Sequence, residues 1–314
     1  MSIRRAGSAG AGLLLAAALA VALAGVAAVL VLVRGAPAPP TAAAAGAGSC
    51  DTFPQLPENR PTAATTGVSP DAELVESGSL LIETPGTVVE GKEITGNIVI
   101  NADDVTIRNN RINVTEWYGI TYDEEVTGTK IIGNEILTED GGYVAIAATD
   151  AVICGNYIHG FENAITLGRR SIVQANFIEK FQGMPGEDPH FDGIEIYHGS
   201  HTHVWGNNIM LTDPSGAWLE DTGAVNITTH WSDIKDVDIR GNWIGGGSYT
   251  LYVEGTSDHD YDDIRIIDNR WYGDAPAGHA AWGAISVNGT EGISAFEGNA
   301  WDDTENPVPL PKGD

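Results

Sequence analysis

The chain has 314 residues, enough for one or two domains, and its 43 acidic residues against 16 Lys and Arg give a formal charge of −27. That balance argues against nucleic acid and anionic lipid as partners, because both need basic patches. A polyanionic glycan is repelled as well unless a cation or a local basic patch intervenes, whereas a soluble extracellular protein is compatible with it.

The chain opens with Arg4 and Arg5 and then runs apolar or small from Ala11 to Val33, 23 residues in all. The usual secretory core is roughly 7–15 residues, and about 20 suffice to span a bilayer. Residues 1–34 therefore predict a signal peptide or a membrane-anchor helix. The leading arginines place the bulk of the chain outside. Contact with a membrane is expected only through residues 11–33, if they are not cleaved. Residues 35–66 are rich in Ala, Pro, Gly and Thr and read as a flexible linker. Cys50 falls in that linker and Cys154 far beyond it. In an exported chain two cysteines predict a disulfide, since free exposed thiols are unusual outside the cell.

From residue 67 a short phrase recurs, Asn followed two residues later by Ile or Trp. It starts at Asn110, Asn134, Asn156, Asn176, Asn207, Asn242, Asn269 and Asn299. The spacings are 24, 22, 20, 31, 35, 27 and 30 residues. A fixed phrase at variable spacing implies one structural rung plus a loop of adjustable length. Three residues before each Asn lies another apolar residue, from Ile107 and Ile131 to Ile266 and Phe296. The column between is mixed, so it faces outward, and the apolar columns point into a shared core. The Asn marks the turn, where it tolerates a left-handed backbone and bonds local groups. Stacked Asn side chains are expected to bond from rung to rung. No single coil buries its own apolar residues, so the stack is needed for stability. The expected fold is all-β, a single-stranded right-handed parallel β-helix of about eight coils over 67–306, with a tail at 307–314. A propeller or sandwich would need antiparallel hairpins, which the single repeated phrase does not suit.

The stretches Pro85–Lys92, Ala102–Asn109, His190–Glu195 and Asn242–Tyr252 resemble right-handed β-helix proteins of the pectin-lyase-like superfamily, of the secreted actinobacterial type. The resemblance runs from about Gly67 to Thr304. It implies an exported protein, released or anchored outside the membrane, and many members are polysaccharide lyases or glycoside hydrolases. The paired-Asp and His-Gly pattern of polygalacturonases is missing here. So is a calcium-carboxylate cluster with a catalytic Arg, as in pectate lyases. No catalytic residue therefore carries over by position, and function must come from the site itself.

The richest candidate segment runs from His190 to His203. Inward Ile194 and Ile196 put Glu195 and Tyr197 outside, with His190 and Asp192 at the end of a long loop. One coil on lie Asn226 and His230, and one further Tyr252 and Glu254. Ala145, Ala147 and Thr166 on this face leave earlier coils chemically poor. Hydrolysis of a glycan needs two carboxyl groups about 5–9.5 Å apart. Elimination needs a base and a positive group or metal. The expected catalytic set is His190, Asp192, Glu195, Tyr197, His230 and Glu254, acting on a polysaccharide by either route. Trp218, Asn226, Tyr252 and Trp282 are the expected substrate-binding set, the two tryptophans by stacking on sugars or by packing loops. No cofactor or metal is expected, with calcium left open, and the chain is expected to be a monomer. His201 and His203, alternating around Thr202, are read as an exposed pair rather than metal ligands. The opposing reading is a non-catalytic carbohydrate-binding or cell-surface module.

Overall fold

The computed structural model describes residue 50, residues 59–122 and residues 126–312. The signal or anchor segment 1–34 and most of the linker lie outside the described residues. Among the described residues no helix is long and apolar enough to cross a membrane.

The described chain is all-β, and the sheet pairings are parallel between successive coils. Each coil contributes strands to three faces. Face A takes the strand just after the Asn, such as Phe177–Glu179, which pairs with Asn208–Met210. Face B takes the next strand, such as Asp192–Ile196, between Tyr157–Leu167 and Gly223–Thr228. Face C takes the strand leading into the next Asn, such as Ile172–Gln174, and holds nine strands. In two coils the strands Glu135–Ala148 and Tyr157–Leu167 run from face A to face B without a loop, which joins those faces into one sheet. Wherever a loop is inserted between faces A and B, it stands beside face B. The three long ones are 180–191, 211–222 and 272–282.

The apolar columns meet inside. Ile107, Ile131, Ile153, Val173, Val204 and Ile239 form one stacked row of fully buried side chains. Trp271 and Trp301 close the core at the C-terminal end. The Asn residues form a continuous buried ladder. Up to Asn269, each Nδ2 donates to the next Asn Oδ1 and to a carbonyl of the preceding coil, as Asn156 does to Asn176 (2.9 Å) and Ile131 (2.9 Å). Its backbone N–H donates to the same Oδ1 at 2.9 Å. One expectation needs correcting. The left-handed residue is not the Asn but the one before it: Asn109, Gly133, Gly155, Ala175, Gly206, Gly241, Asp268 and Gly298, with φ between 50° and 67°. The turn is made there, which leaves the Asn side chain aimed along the stack.

The described part of the linker is packed against face A. Arg60 pairs with Asp302 in the last coil at 3.0 Å and lies over the Tyr272 ring. Asn208 Nδ2 donates to the Pro61 carbonyl at 2.7 Å, and the Gly67 N–H donates to the Gly155 carbonyl at 2.9 Å. Ser69 N–H reaches Asn109 Oδ1 at 3.0 Å. Residues 60–69 thus run the length of the stack as a strap. Cys50 is disulfide-bonded to Cys154 on face C. At the other end Pro307 bridges back to Ala300, and Val308 is buried, so the described tail caps the last coil.

Candidate functional site

On face B the alternation of inward and outward residues slips by one. Gly193 and Ile194 both face inward: a Cβ at Gly193 would sit 2.3 Å from the Ala224 carbonyl and 2.5 Å from Ile209 Cγ2. Ala164–Ile165 and Ala224–Val225 repeat this double inward step in the neighbouring coils. The consequence is chemical. Asp192 and Glu195, three residues apart, emerge on the same outer face, near enough that each shifts the other's ionisation.

Both carboxyls are out of contact with bulk water, Asp192 being 2% and Glu195 5% exposed. Thr166 Oγ1 donates to Glu195 Oε2 at 2.7 Å, and the Tyr197 hydroxyl donates to Glu195 Oε1. Asn226 Nδ2 donates to Asp192 Oδ1 at 3.3 Å. Burial, and then the charge of Glu195, push the Asp192 carboxyl well above the usual carboxylate range. Burial also raises Glu195, against the hydrogen bonds from Tyr197 and Thr166. Two neighbouring carboxyls in a dry site resist ionising together, and Asp192, pushed up the further, is the one that holds its proton longer.

Around this dyad the structure assembles groups from five coils. His230 meets the Tyr197 ring edge-on at 5.0 Å. Tyr252 lies over Gly223, which a side chain would obstruct at 3.0 Å from the ring. Glu162, from the preceding coil, is buried and raised by that burial, and accepts the His190 N–H at 3.2 Å. Tyr143 and Tyr118 stand two and three coils before, their rings 5.7 Å apart, and both feel the charge of Glu195. Asn163, paired with Asp192, is 3% exposed, and its Oδ1 has no partner.

Of the expected catalytic residues, Asp192, Glu195, Tyr197 and His230 come together. His190 stands on the rim, its exposed ring 4.0 Å from Asp221 of the next loop. Glu254 is two coils away from Glu195 and accepts a bond from Ser286 at 2.6 Å. Asn226 and Tyr252 line the site. Trp282 stands exposed at the end of loop 272–282, with its ring 5.8 Å from Tyr249. Trp218 belongs elsewhere: it stacks on His279 at 4.4 Å and packs over Gly245 and Gly246, fastening two loops. Ala145 was expected outside but points into the core; Val144 stands in register with Asp192, and the ring of Tyr143 just before it meets Tyr118 near the dyad. Sequence reasoning therefore missed Tyr118, Tyr143, Glu162 and Asn163. His201 adopts a left-handed backbone and pairs with Asp236, while His203 is half-buried against Trp205. Among the described residues no group of three His, Cys, Asp or Glu side chains is placed to hold a metal ion.

The chain matches no family model, no curated protein and no solved structure.

Proposed function

We propose that this is an exported glycan-active enzyme that cleaves a polysaccharide by hydrolysis at the Asp192–Glu195 dyad. The observation that carries the reading is the buried, electrostatically coupled carboxyl pair on the outer side of face B. A carboxyl whose burial holds its proton above the ordinary carboxylate range suits a general acid. It gives that proton to the glycosidic oxygen as the bond to the anomeric carbon breaks. Water then adds to that carbon, and its proton passes to a carboxylate. Asp192 and Glu195 share their ionisation as neighbours, so they are read together rather than as the two separate carboxyls, which need about 5–9.5 Å between them. The pair acts as one acid, and Glu162 is the second carboxylate. Elimination is the weaker route, because it needs a cation to stabilise the enolate and the dyad's neighbours are carboxyl, amide, hydroxyl, phenol and imidazole groups.

The disulfide supports export, since such bonds persist in oxidising compartments. The parallel faces, the Asn ladder and the strong right-handed preference of parallel crossovers support a right-handed β-helix of the pectin-lyase-like type.

The test is a screen of neutral and uronate polysaccharides that records new reducing ends and new unsaturated products together. Hydrolysis predicts reducing ends alone. Glu195→Gln, which keeps size and removes the shared charge, is expected to lower kcat by roughly a hundredfold or more. Unsaturated products would replace hydrolysis by elimination, and full turnover in both Glu195→Gln and Asp192→Asn would remove the dyad from the reaction.

A further inference from the structure

The large apolar side chains left exposed among the described residues fall in two places. Val75, Leu81 and Val88 belong to the first coil, where stacking ends. Trp117, Tyr118, Trp231 and Trp282 all border face B. Exposed aromatic rings clustered along one face commonly mark a binding surface.

Their placement follows the sheet register. Tyr118 pairs with Val144, Val144 with Asn163, and Asn163 with Asp192. On the other side Asp192 pairs with Gly223, whose column continues through Tyr249 to Gly283. Trp117 directly precedes Tyr118, and Trp282 directly precedes Gly283. The two tryptophans therefore stand three rungs before and three rungs after the dyad, about 14 Å to each side. Each is braced edge-on by a tyrosine: Trp117 by Tyr143 at 6.2 Å and 61°, Trp282 by Tyr249 at 5.8 Å and 73°. Edge-on bracing fixes an indole and leaves a face free. With 57% and 69% of their surface exposed, both rings offer that face to solvent.

The charge of this face selects among glycans. Between Tyr118 and Asn288 no Lys or Arg occupies the outward columns that contain Asp192, Glu195 and Tyr197. Glu162, Asp192, Glu195 and Glu254 do lie there or beside them. A uronate or sulfated chain would meet only like charge, whereas the C–H face of a neutral sugar suits an indole.

We infer that Trp117 and Trp282 are two sugar-stacking platforms that hold a neutral glycan along the coil axis across the dyad, so that cleavage falls inside the chain. This rests on the hydrolytic reading for the cleavage, but not for the binding. Hydrolysis between the platforms yields two oligosaccharides, one with a new reducing end, rather than single sugars released from one terminus.

The experiment uses the full chain carrying Glu195→Gln, titrated by calorimetry with gluco-, manno-, xylo- and arabino-oligosaccharides from dimer to octamer and with oligogalacturonate. One neutral series is expected to bind with affinity that rises with length. Trp117→Ala and Trp282→Ala are each expected to weaken the octamer roughly tenfold, one stacking contact. Trp117→Phe and Trp282→Phe restore part of that loss, which separates a missing ring from a misfolded coil. Preference for oligogalacturonate would overturn the proposal, and so would octamer binding unchanged in both alanine variants. Products of the wild-type chain then separate the two ideas. Binding through both tryptophans without hydrolysis keeps the platforms and removes the enzyme. Hydrolysis that trims single sugars from one end keeps the enzyme and removes the two-sided platform.

Discussion

At the residue scale, the proton of the dyad has a thermodynamic signature apart from any substrate. An unfolded Asp loses its proton near 3.8, and folded Asp192 keeps it to well above that value. Between the two the native state binds more protons than the unfolded one, so this group makes stability fall as pH rises. Its stabilising contribution is complete below about 3.8 and is lost as pH climbs through the folded value. Asp192→Asn keeps the shape and the Asn226 contact but has nothing to titrate. Denaturation midpoints followed across pH are expected to show the variant gaining on the wild type steadily above about 3.8, and to be highest relative to it at neutral pH. Parallel curves would mean that Asp192 ionises normally. Glu135 and Asp236, whose carboxyls are lowered by hydrogen bonds from His159 and Arg265 respectively, work in the opposite direction in both proteins and cancel in the comparison. The same buried acid that suits catalysis thus costs stability as pH rises toward neutrality, a common trade at active sites.

At the scale of the element, the unit is a coil held to the next by an Asn. Asn156 is fully buried and makes four ladder bonds, accepting from Asn134 N–H and Nδ2 and donating to Ile131 and Asn176. Asn156→Ala strands two donors and a carbonyl in a dry core, where each unsatisfied group costs about 1–3 kcal/mol. A total loss of roughly 3 kcal/mol in chemical denaturation is expected, and a loss near zero would show that the ladder is an ornament of packing. The inward columns were legible in the sequence because a strand repeats every two residues. The left-handed residue before each Asn was not, because its identity varies from Gly to Asn109, Ala175 and Asp268. The same limit hid half of the site. Counting by twos from the Asn rung put Ala145 outside. Two consecutive inward residues at the corner of face B shift the count, so Val144 takes the position in register with Asp192, with Tyr143 just before it. Asp192 and Glu195 were legible as chemistry but not as a pair, since their contact depends on Gly193 filling an inward position that no alternation predicts.

At the scale of the whole molecule, a stack of coils joins only neighbours, so loosening can start at an end and spread. The strap works against this. Residues 60–69 fasten the last coil through Arg60, a middle coil through Gly67 and an early one through Ser69, and Cys50 ties the preceding chain to Cys154. The exposed Arg60–Asp302 pair adds little, about 0–1 kcal/mol. The disulfide is the larger effect: it links residues 104 apart in sequence, and a loop of that size is worth up to about 4.7 kcal/mol in unfolded-chain entropy. Reduction, or Cys154→Ser, is therefore expected to lower the unfolding free energy by several kcal/mol, measured as urea denaturation with and without reductant. The loss need not be uniform. Hydrogen exchange should rise first in the coils that the strap fastens from outside, around Asn208 and Asp302, because they lie farthest along the chain from Cys154. The inner coil at Asn156 keeps its ladder and neighbours on both sides, and should exchange last. If the reduced protein unfolds at the same midpoint and exchanges evenly along the stack, the strap carries no tension between coils, and the stability rests on the ladder and the apolar columns alone.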